Sequence, residues 1–385
     1  MVSDDYLPNP GGIAAHVYEL VRELAQAGHQ VDLLAGHSHL LAGQPIPPLP
    51  AGARLLLNRP YRRNYFGYIV NTFRVYFDIR RQLGRDRYDI VHWHNLAWET
   101  WGVRFAARGL PRVFTNHSSG FLRRMKSPWR RKFQMPLMLS MADTILTPST
   151  ELLEKSVEAR YPRDRIHYIP NGVNTRDFCP GARDPDLLKA YGLVAGDQVV
   201  VVPRRLDPKN GVDVLVRAVA DVKEALPQLK VLLVGDGEQK PELVALSNKL
   251  GVRDRVIFCG SQPRLAMPPH LRLADLAALP SRAEAVSLAG LEAMACGLPV
   301  VGSRVGGIPE FVFDGANGKL FPVENHRRLG EILVEMFSKR ASILEMGLRA
   351  RESVTENFSW IRCAARTVQA YESTLASARQ AKGKV

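Results

Sequence analysis

What most limits the fold of this chain is an alternation that occurs twice. Short apolar runs at 30–35, 89–94, 112–115, 144–147 and 166–169 are separated by stretches whose apolar residues fall at helical spacing. A second series follows at 198–202, 229–234, 256–258, 276–279 and 298–301. Parallel strands need a long crossover, so strand, helix, strand in this rhythm reads as βαβ units. Ile13, Val17, Leu20, Val21 and Leu24 mark one helical stripe, which Gly28 ends. Further helices are predicted near 211–225, 239–250, 288–295 and 326–338. A last one, 359–379, carries Trp360, Ala364, Val368 and Tyr371 on one stripe. Pro, Gly and Asp gather between 168 and 193 and mark a linker. The expectation is an α/β protein of two doubly wound domains with a cleft between them.

Size agrees, because 385 residues exceed one ordinary core. Apolar content of 46% with 23% charged residues excludes a disordered chain. No run approaches the roughly 20 apolar residues that cross a bilayer, and the first residues, Met-Val-Ser-Asp-Asp-Tyr, have no signal-peptide character. Cys179, Cys259, Cys296 and Cys363 lack metal-ligand or redox spacing. These features predict a cytoplasmic protein with reduced thiols and no structural metal. Charge is confined to one region. Between Arg54 and Lys132 there are 18 Lys and Arg against Asp78, Asp86, Asp89 and Glu99, a surplus that equals the whole chain's net charge of +14. Such a patch points to an acidic partner: an anionic membrane surface or a lipid-linked phosphate acceptor. No nucleic-acid motif is present, so nucleic acid is not expected.

Glu284 and Glu292 lie eight residues apart where the run 276–279 gives way to the helix 288–295. Open α/β sheets bind ligands outside the carboxyl ends of their strands, at such a junction. Backbone amides at a helix start donate to anions, and carboxylates accept from hydroxyls. A sugar joined to a phosphate needs both. Ser287 is a suitable N-cap and Gly297 a suitable stop. A pair of glutamates by itself is more often a surface pair.

The neighbours narrow this. Glu-Ala-Met-Ala-Cys-Gly-Leu-Pro-Val-Val at 292–301, Gly306-Gly-Ile-Pro-Glu310, Asp314-Gly-Ala-Asn-Gly318 and Ile169-Pro-Asn-Gly-Val173 with Phe178 stand with the E-x7-E pair. The set resembles retaining glycosyltransferases of the GT-B fold, the family 4 or group 1 type, from Gly11 to the last helix. The resemblance implies domains over 1–180 and 181–357, with 358–385 crossing back to the first. It implies that Glu284 contacts hydroxyls of a donor sugar and Glu292 holds the nucleotide's ribose. The amides near Val286, Ser287 and Leu288 would face the diphosphate.

Arg204-Arg-Leu-Asp-Pro-Lys-Asn-Gly211 resembles the family's loop whose Arg and Lys neutralise that diphosphate. Fixed cations favour a leaving group that gains charge. Arg205 matches the motif, but Asn210 sits where lysine usually precedes the glycine and Lys209 comes one position early. Either Lys209 reaches the phosphate or Asn210 acts as a neutral donor. Gly11 and Gly12 open the first helix and would let the backbone approach the donor. The family places a full strand before them, whereas only Met1 and Val2 precede Ser3 here, so the expectation is a short first strand that lacks several preceding residues. By the same resemblance His117 contacts the donor sugar, Gly235 lines the diphosphate side, and the backbone after Gly260 meets the base. His92 and His94 read as packing or acceptor-side residues, and with no third ligand apparent no metal is expected. The stretch 121–133 mixes cations with large apolar groups, suited either to a lipid headgroup boundary or to an acceptor loop.

The reading is a retaining transfer from a nucleotide-diphosphate sugar to an acceptor hydroxyl, on a glycan or a lipid-linked precursor. No cofactor or metal is expected, and the protein is placed in the cytoplasm or at the inner membrane face. The alternatives are a GT-B-fold nucleotide-sugar 2-epimerase and a non-catalytic sugar-nucleotide-binding subunit.

Overall fold

The structure, a computed structural model, describes residues 1–4, 6–7, 12–35, 48–57, 65–94, 96, 99–117, 119–284 and 287–382. Contacts divide the chain into two compact units, Met1–Asn171 with Trp360–Val385, and Gly172–Ser359. The stretch after 171 therefore belongs to the second unit, where the amide of Val173 donates to Phe358 O at 2.7 Å. Phe178 is buried there in the apolar cluster. The last helix, Trp360–Lys382, belongs to the first unit: His92 Nδ1 lies 2.6 Å from Tyr371 Oη, and the hydroxyls of Thr144 and Thr374 are 2.7 Å apart.

The first unit is built on a seven-stranded parallel sheet. Its strands are β1 (Val2–Ser3), β2 (Val31–Ala35), β3 (Ala53–Leu57), β4 (Val91–Trp93), β5 (Arg112–Thr115), β6 (Thr144–Thr147) and β7 (Ile166–Tyr168). They lie in the order β3-β2-β1-β4-β5-β6-β7. The two-residue β1 is central, with Val2 opposite Leu34 on one side and Trp93 on the other. The strand order reverses between β1 and β4.

The second unit holds β8 (Gln198–Val202), β9 (Leu229–Val234), β10 (Val256–Gly260), β11 (Leu276–Leu279), β12 (Val300–Ser303) and β13 (Gly318–Phe321). The order is β10-β9-β8-β11-β12-β13, all parallel, with the reversal between β8 and β11. Side chains alternate across a strand, and here both faces are apolar. Val200, Val202, Val231 and Leu233 enter one core cluster, while Val199, Val201, Leu232 and Val234 enter the other. Continuous β-branched runs read as strands for that reason.

The strands β3 and β13 and the helices Tyr65–Leu83 and Arg340–Asn357 were not expected from periodicity. β3 is Ala-Arg-Leu-Leu-Leu, residues that favour helix, and it becomes a strand by pairing along its whole length with β2. The helix Tyr65–Leu83 is rich in aromatic and β-branched residues. It packs on Glu99–Ala106, where a Cβ on Gly102 would press against Thr72 O and the amide of Tyr76 at 3.3 Å.

Candidate active site

In the second unit, the loops leaving β8 and β11 stand side by side where the strand order reverses, the usual ligand crevice of such sheets. The loop after β8 carries Arg204, Arg205 and Lys209; the loop after β11 carries Glu284 and leads into the helix Leu288–Ala295 with Glu292. Arg282 fastens one loop to the other. Its guanidinium donates to both oxygens of Asp213 at 2.8 Å and to Pro208 O at 2.6 Å, and its amide donates to Lys209 O at 2.8 Å. Burial pushes the Asp213 carboxyl up, but hydrogen bonding and charge from Arg282 outweigh it and hold Asp213 below the usual carboxylate range.

Two glycines make this backbone packing possible. A Cβ on Gly306, whose φ is +53°, would overlap Glu284 O, and one on Gly235 would overlap Arg204 O. Gly235 also bridges Gly260, which adopts φ +71° at the end of β10. Glycine at 235 is thus needed for loop against loop, whatever lies beyond.

Each predicted glutamate has an arginine. Arg204 Nη2 pairs with Glu284 Oε2 while its Nη1 donates to Ser281 Oγ. Arg264 Nη1 reaches Glu292 Oε1 at 2.7 Å, with its guanidinium carbon 5.3 Å from the Phe178 ring centroid. Glu292 is buried, and burial raises its pKa against the opposing pull of Arg264. Ser287 caps the helix by accepting from the amide of Gly290 at 3.2 Å. Leu288 is the first residue of that helix, whose opening amides lack partners within the helix by geometry.

Arg205 and Lys209 are exposed, and Lys209's ammonium forms no ion pair among the described residues. Asn210 is buried, and its amide donates to Arg205 O at 2.7 Å, inside its own loop. Of the two residues considered for the phosphate, only Lys209 therefore has an exposed donor. Gly11 and Val286 lie outside the described residues, and Gly12 is the exposed first residue of the helix Gly12–Gln26.

In the first unit the reversal gathers three imidazoles. His94 follows β4, His117 follows β5, and His16 stands on the helix Gly12–Gln26 after β1. His94 Nδ1 and His117 Nε2 are 3.2 Å apart, and the His16 and His117 ring centroids 4.2 Å. Asn171 Oδ1 lies 2.9 Å from His16 Nδ1. Burial pushes the His16 pKa down to about 4, against Asn171, and burial with neighbouring imidazoles lowers those of His94 and His117 well below the ordinary range. All three are therefore neutral at pH 7. His92 has both ring nitrogens engaged, by Tyr371 and by Thr115 Oγ1 at 2.6 Å.

The sequence reading did not identify Arg204, Arg264 or His16. Arg264 pairs across 28 residues, which no local spacing reveals. His16 did leave a signal, a polar residue on the buried face between Ile13 and Leu20. It supplies the third imidazole that the expectation of no metal had found lacking.

Comparison with known proteins gives a consistent picture. The family pattern described as "Glycosyl transferases group 1" matches residues 184–353, and that described as "Glycosyltransferase Family 4" matches 10–177. A D-inositol 3-phosphate glycosyltransferase of Nocardia farcinica is 31% identical, over 95% of this chain and 85% of its own length. A GDP-mannose-dependent alpha-(1-6)-phosphatidylinositol monomannoside mannosyltransferase of Mycolicibacterium smegmatis is also 31% identical, over 57% of this chain and 59% of its own. Among solved structures, sucrose-phosphate synthase from Thermosynechococcus elongatus superposes with a TM-score of 0.81, covering 98% of this chain and 99% of that one at 22% identity. The two Rossmann-like units have the GT-B fold.

Proposed function

This chain belongs to the group 1 glycosyl transferases, and from that membership we propose a retaining transfer of a sugar from a nucleotide-diphosphate sugar to an acceptor hydroxyl. The observation that carries the proposal is the pairing of Glu284 and Glu292 with arginines at the reversal point of the second sheet. Carboxylates held by exchangeable arginine partners are ready acceptors for sugar and ribose hydroxyls.

In this reading the C-terminal unit holds the donor. Glu284 orients the sugar, Glu292 the ribose, and the amides of Ser287 and Leu288 with Arg205 and Lys209 stabilise the diphosphate as it departs. Gly235 and Gly260 fix the loops beside it. The bond from the anomeric carbon to the phosphate oxygen breaks, and one to the acceptor oxygen forms on the same face. The acceptor's proton passes to the departing phosphate oxygen. Fixed cations neutralise the phosphate, so the transfer calls on no metal. The N-terminal unit, with Gly12 and His117, serves the acceptor and the sugar hydroxyls.

The acceptor we propose is lipid-linked, like the phosphatidylinositol monomannoside for which the mannosyltransferase relative is named. Trp129, Phe133 and Leu137 recur every four residues and are 63%, 55% and 54% exposed. Arg130, Arg131 and Lys132 are exposed among them, and Lys132 Nζ stands 5.5 Å from the Phe133 ring centroid. An exposed apolar stripe with basic residues interspersed suits an anionic bilayer surface. No helix among the described residues is long and apolar enough to cross a membrane, so the contact proposed is peripheral.

Release of nucleoside diphosphate across a panel of donor sugars, with and without membrane lipid extract, tests the reading. Release from one donor that requires the extract is expected. Epimerised donor without transfer, or donor binding without release, would overturn it. For the membrane contact, vesicles containing phosphatidylserine should sediment the wild type and not the triple variant Trp129→Ala, Phe133→Ala, Leu137→Ala. Equal sedimentation of both would remove that part.

A further inference from the structure

We propose that His16, His94 and His117 form a binding site for a divalent first-row transition ion of the zinc class. One ring nitrogen from each residue lies within 4.8 Å of the others. Two nitrogens on one tetrahedral zinc, each at about 2.0–2.1 Å, stand about 3.3 Å apart. His94 Nδ1 and His117 Nε2 already have that separation, 3.2 Å. The third ligand needs only a closing movement of the His16 ring, whose centroid is 5.4 Å from that of His94.

Two further observations point to a ligand. The Nε2 atom of His16 is buried without a hydrogen-bond partner among the described residues, and an orphaned buried ring nitrogen is costly. An ion would give His16 Nε2 the partner it lacks. At the opposite edge of that ring, Asn171 Oδ1 accepts from Nδ1 at 2.9 Å, which leaves a bare lone pair on Nε2. A carbonyl oxygen that fixes the tautomer of a histidine is the usual outer partner of a metal ligand.

The chemistry of the donors selects the ion. Three uncharged nitrogens and no carboxylate suit zinc, copper, nickel or iron and not magnesium or calcium. Three protein ligands leave a fourth position for water or an incoming oxygen. His92 lies with its ring centroid 4.2 Å from that of His94 but has both nitrogens engaged, so it supports the site without joining it. The transfer proposed above does not call on this ion, and because both readings use His117, an ion bound here would occupy the nitrogen that the ion-free protein offers to the sugar.

The test uses untagged full-length protein freed of metal with a chelator and titrated with Co²⁺, then with Zn²⁺. One cobalt per chain should give the intense visible bands of a low-coordinate site, lost on adding zinc, with a rise in melting temperature. His16→Gln and His117→Asn should each weaken binding at least about 100-fold, and Asn171→Ala about 10–100-fold. His29→Gln, on an exposed turn outside the cluster, should leave it unchanged. A wild-type cobalt spectrum showing only weak six-coordinate absorption overturns the proposal, whichever variants fold. So does low-coordinate cobalt that binds equally to folded His16→Gln and His117→Asn.

Discussion

At the strand reversal of the N-terminal unit stand neutral imidazoles with unpartnered nitrogens. At that of the C-terminal unit stand carboxylates, each held by an arginine. Both places arise from the same topology, so the difference lies in the side chains. Neutral rings exchange hydrogen bonds with hydroxyls or lone pairs with a metal, and need no counterion. Buried carboxylates need a cation beside them, since an isolated buried charge is penalised heavily. A ligand that brings its own charge, such as a nucleotide diphosphate, can enter the second setting by exchanging partners with the arginines already there. The first setting carries no charge of its own and suits a hydroxyl or a metal ion.

The sharpest test compares one residue from each place. Glu284→Ala should lower turnover about 10²–10³-fold. His117→Ala removes one neutral hydrogen bond, about 1–1.5 kcal/mol, and should cost about 10-fold. Initial rates at saturating donor decide it, and the reverse order would break the comparison.

Acid should separate the units next. His16 is neutral in the fold with a pKa near 4 against 6.5 for the free side chain. The unfolded chain therefore binds a proton that the folded one refuses as pH falls from about 6.5 to about 4. Stability of the N-terminal unit is lost across that window, about 3 kcal/mol from His16 alone. Asp213, held below its ordinary 3.8, works the other way: its contribution persists above about pH 4 and is lost only as pH falls through the folded value. Peptide-resolved hydrogen exchange at pH 7.5 and 5 should show N-terminal protection falling first, and His16→Gln should flatten the dependence. Earlier loss in the C-terminal unit would refute the assignment.

The smallest effect concerns Arg264. Arg264 favours the ionised form of Glu292, so Arg264→Gln should raise the Glu292 pKa further. The acid limb of donor affinity should then move to higher pH, with affinity at pH 7 down about 10-fold for one lost charge-assisted hydrogen bond. Calorimetric titration of donor across pH measures it. A drop in affinity without a shifted limb would make Arg264 a packing residue only.

Much of this was legible in the sequence because parallel strands buried on both faces must be apolar runs. The runs Gln198–Val202 and Leu229–Val234 carry that constraint in composition alone. The E-x7-E spacing likewise placed Glu284 and Glu292 at one strand-to-helix junction, and Ser287 and Gly297 fixed where that helix begins and stops. These are local facts, settled by backbone geometry over a few residues.

What tertiary structure decided is which side chains meet. Asn210 and Lys209 were both candidates by spacing, with Lys209 favoured, and the fold buried the amide of one against Arg205 O while leaving the other exposed. Arg204 faces Glu284 across 80 residues and His16 meets Asn171 across 155. Such pairings depend on the order in which strands are laid into a sheet. A periodic pattern specifies that a strand is buried, but not its neighbours, and that order is set by packing of the whole chain.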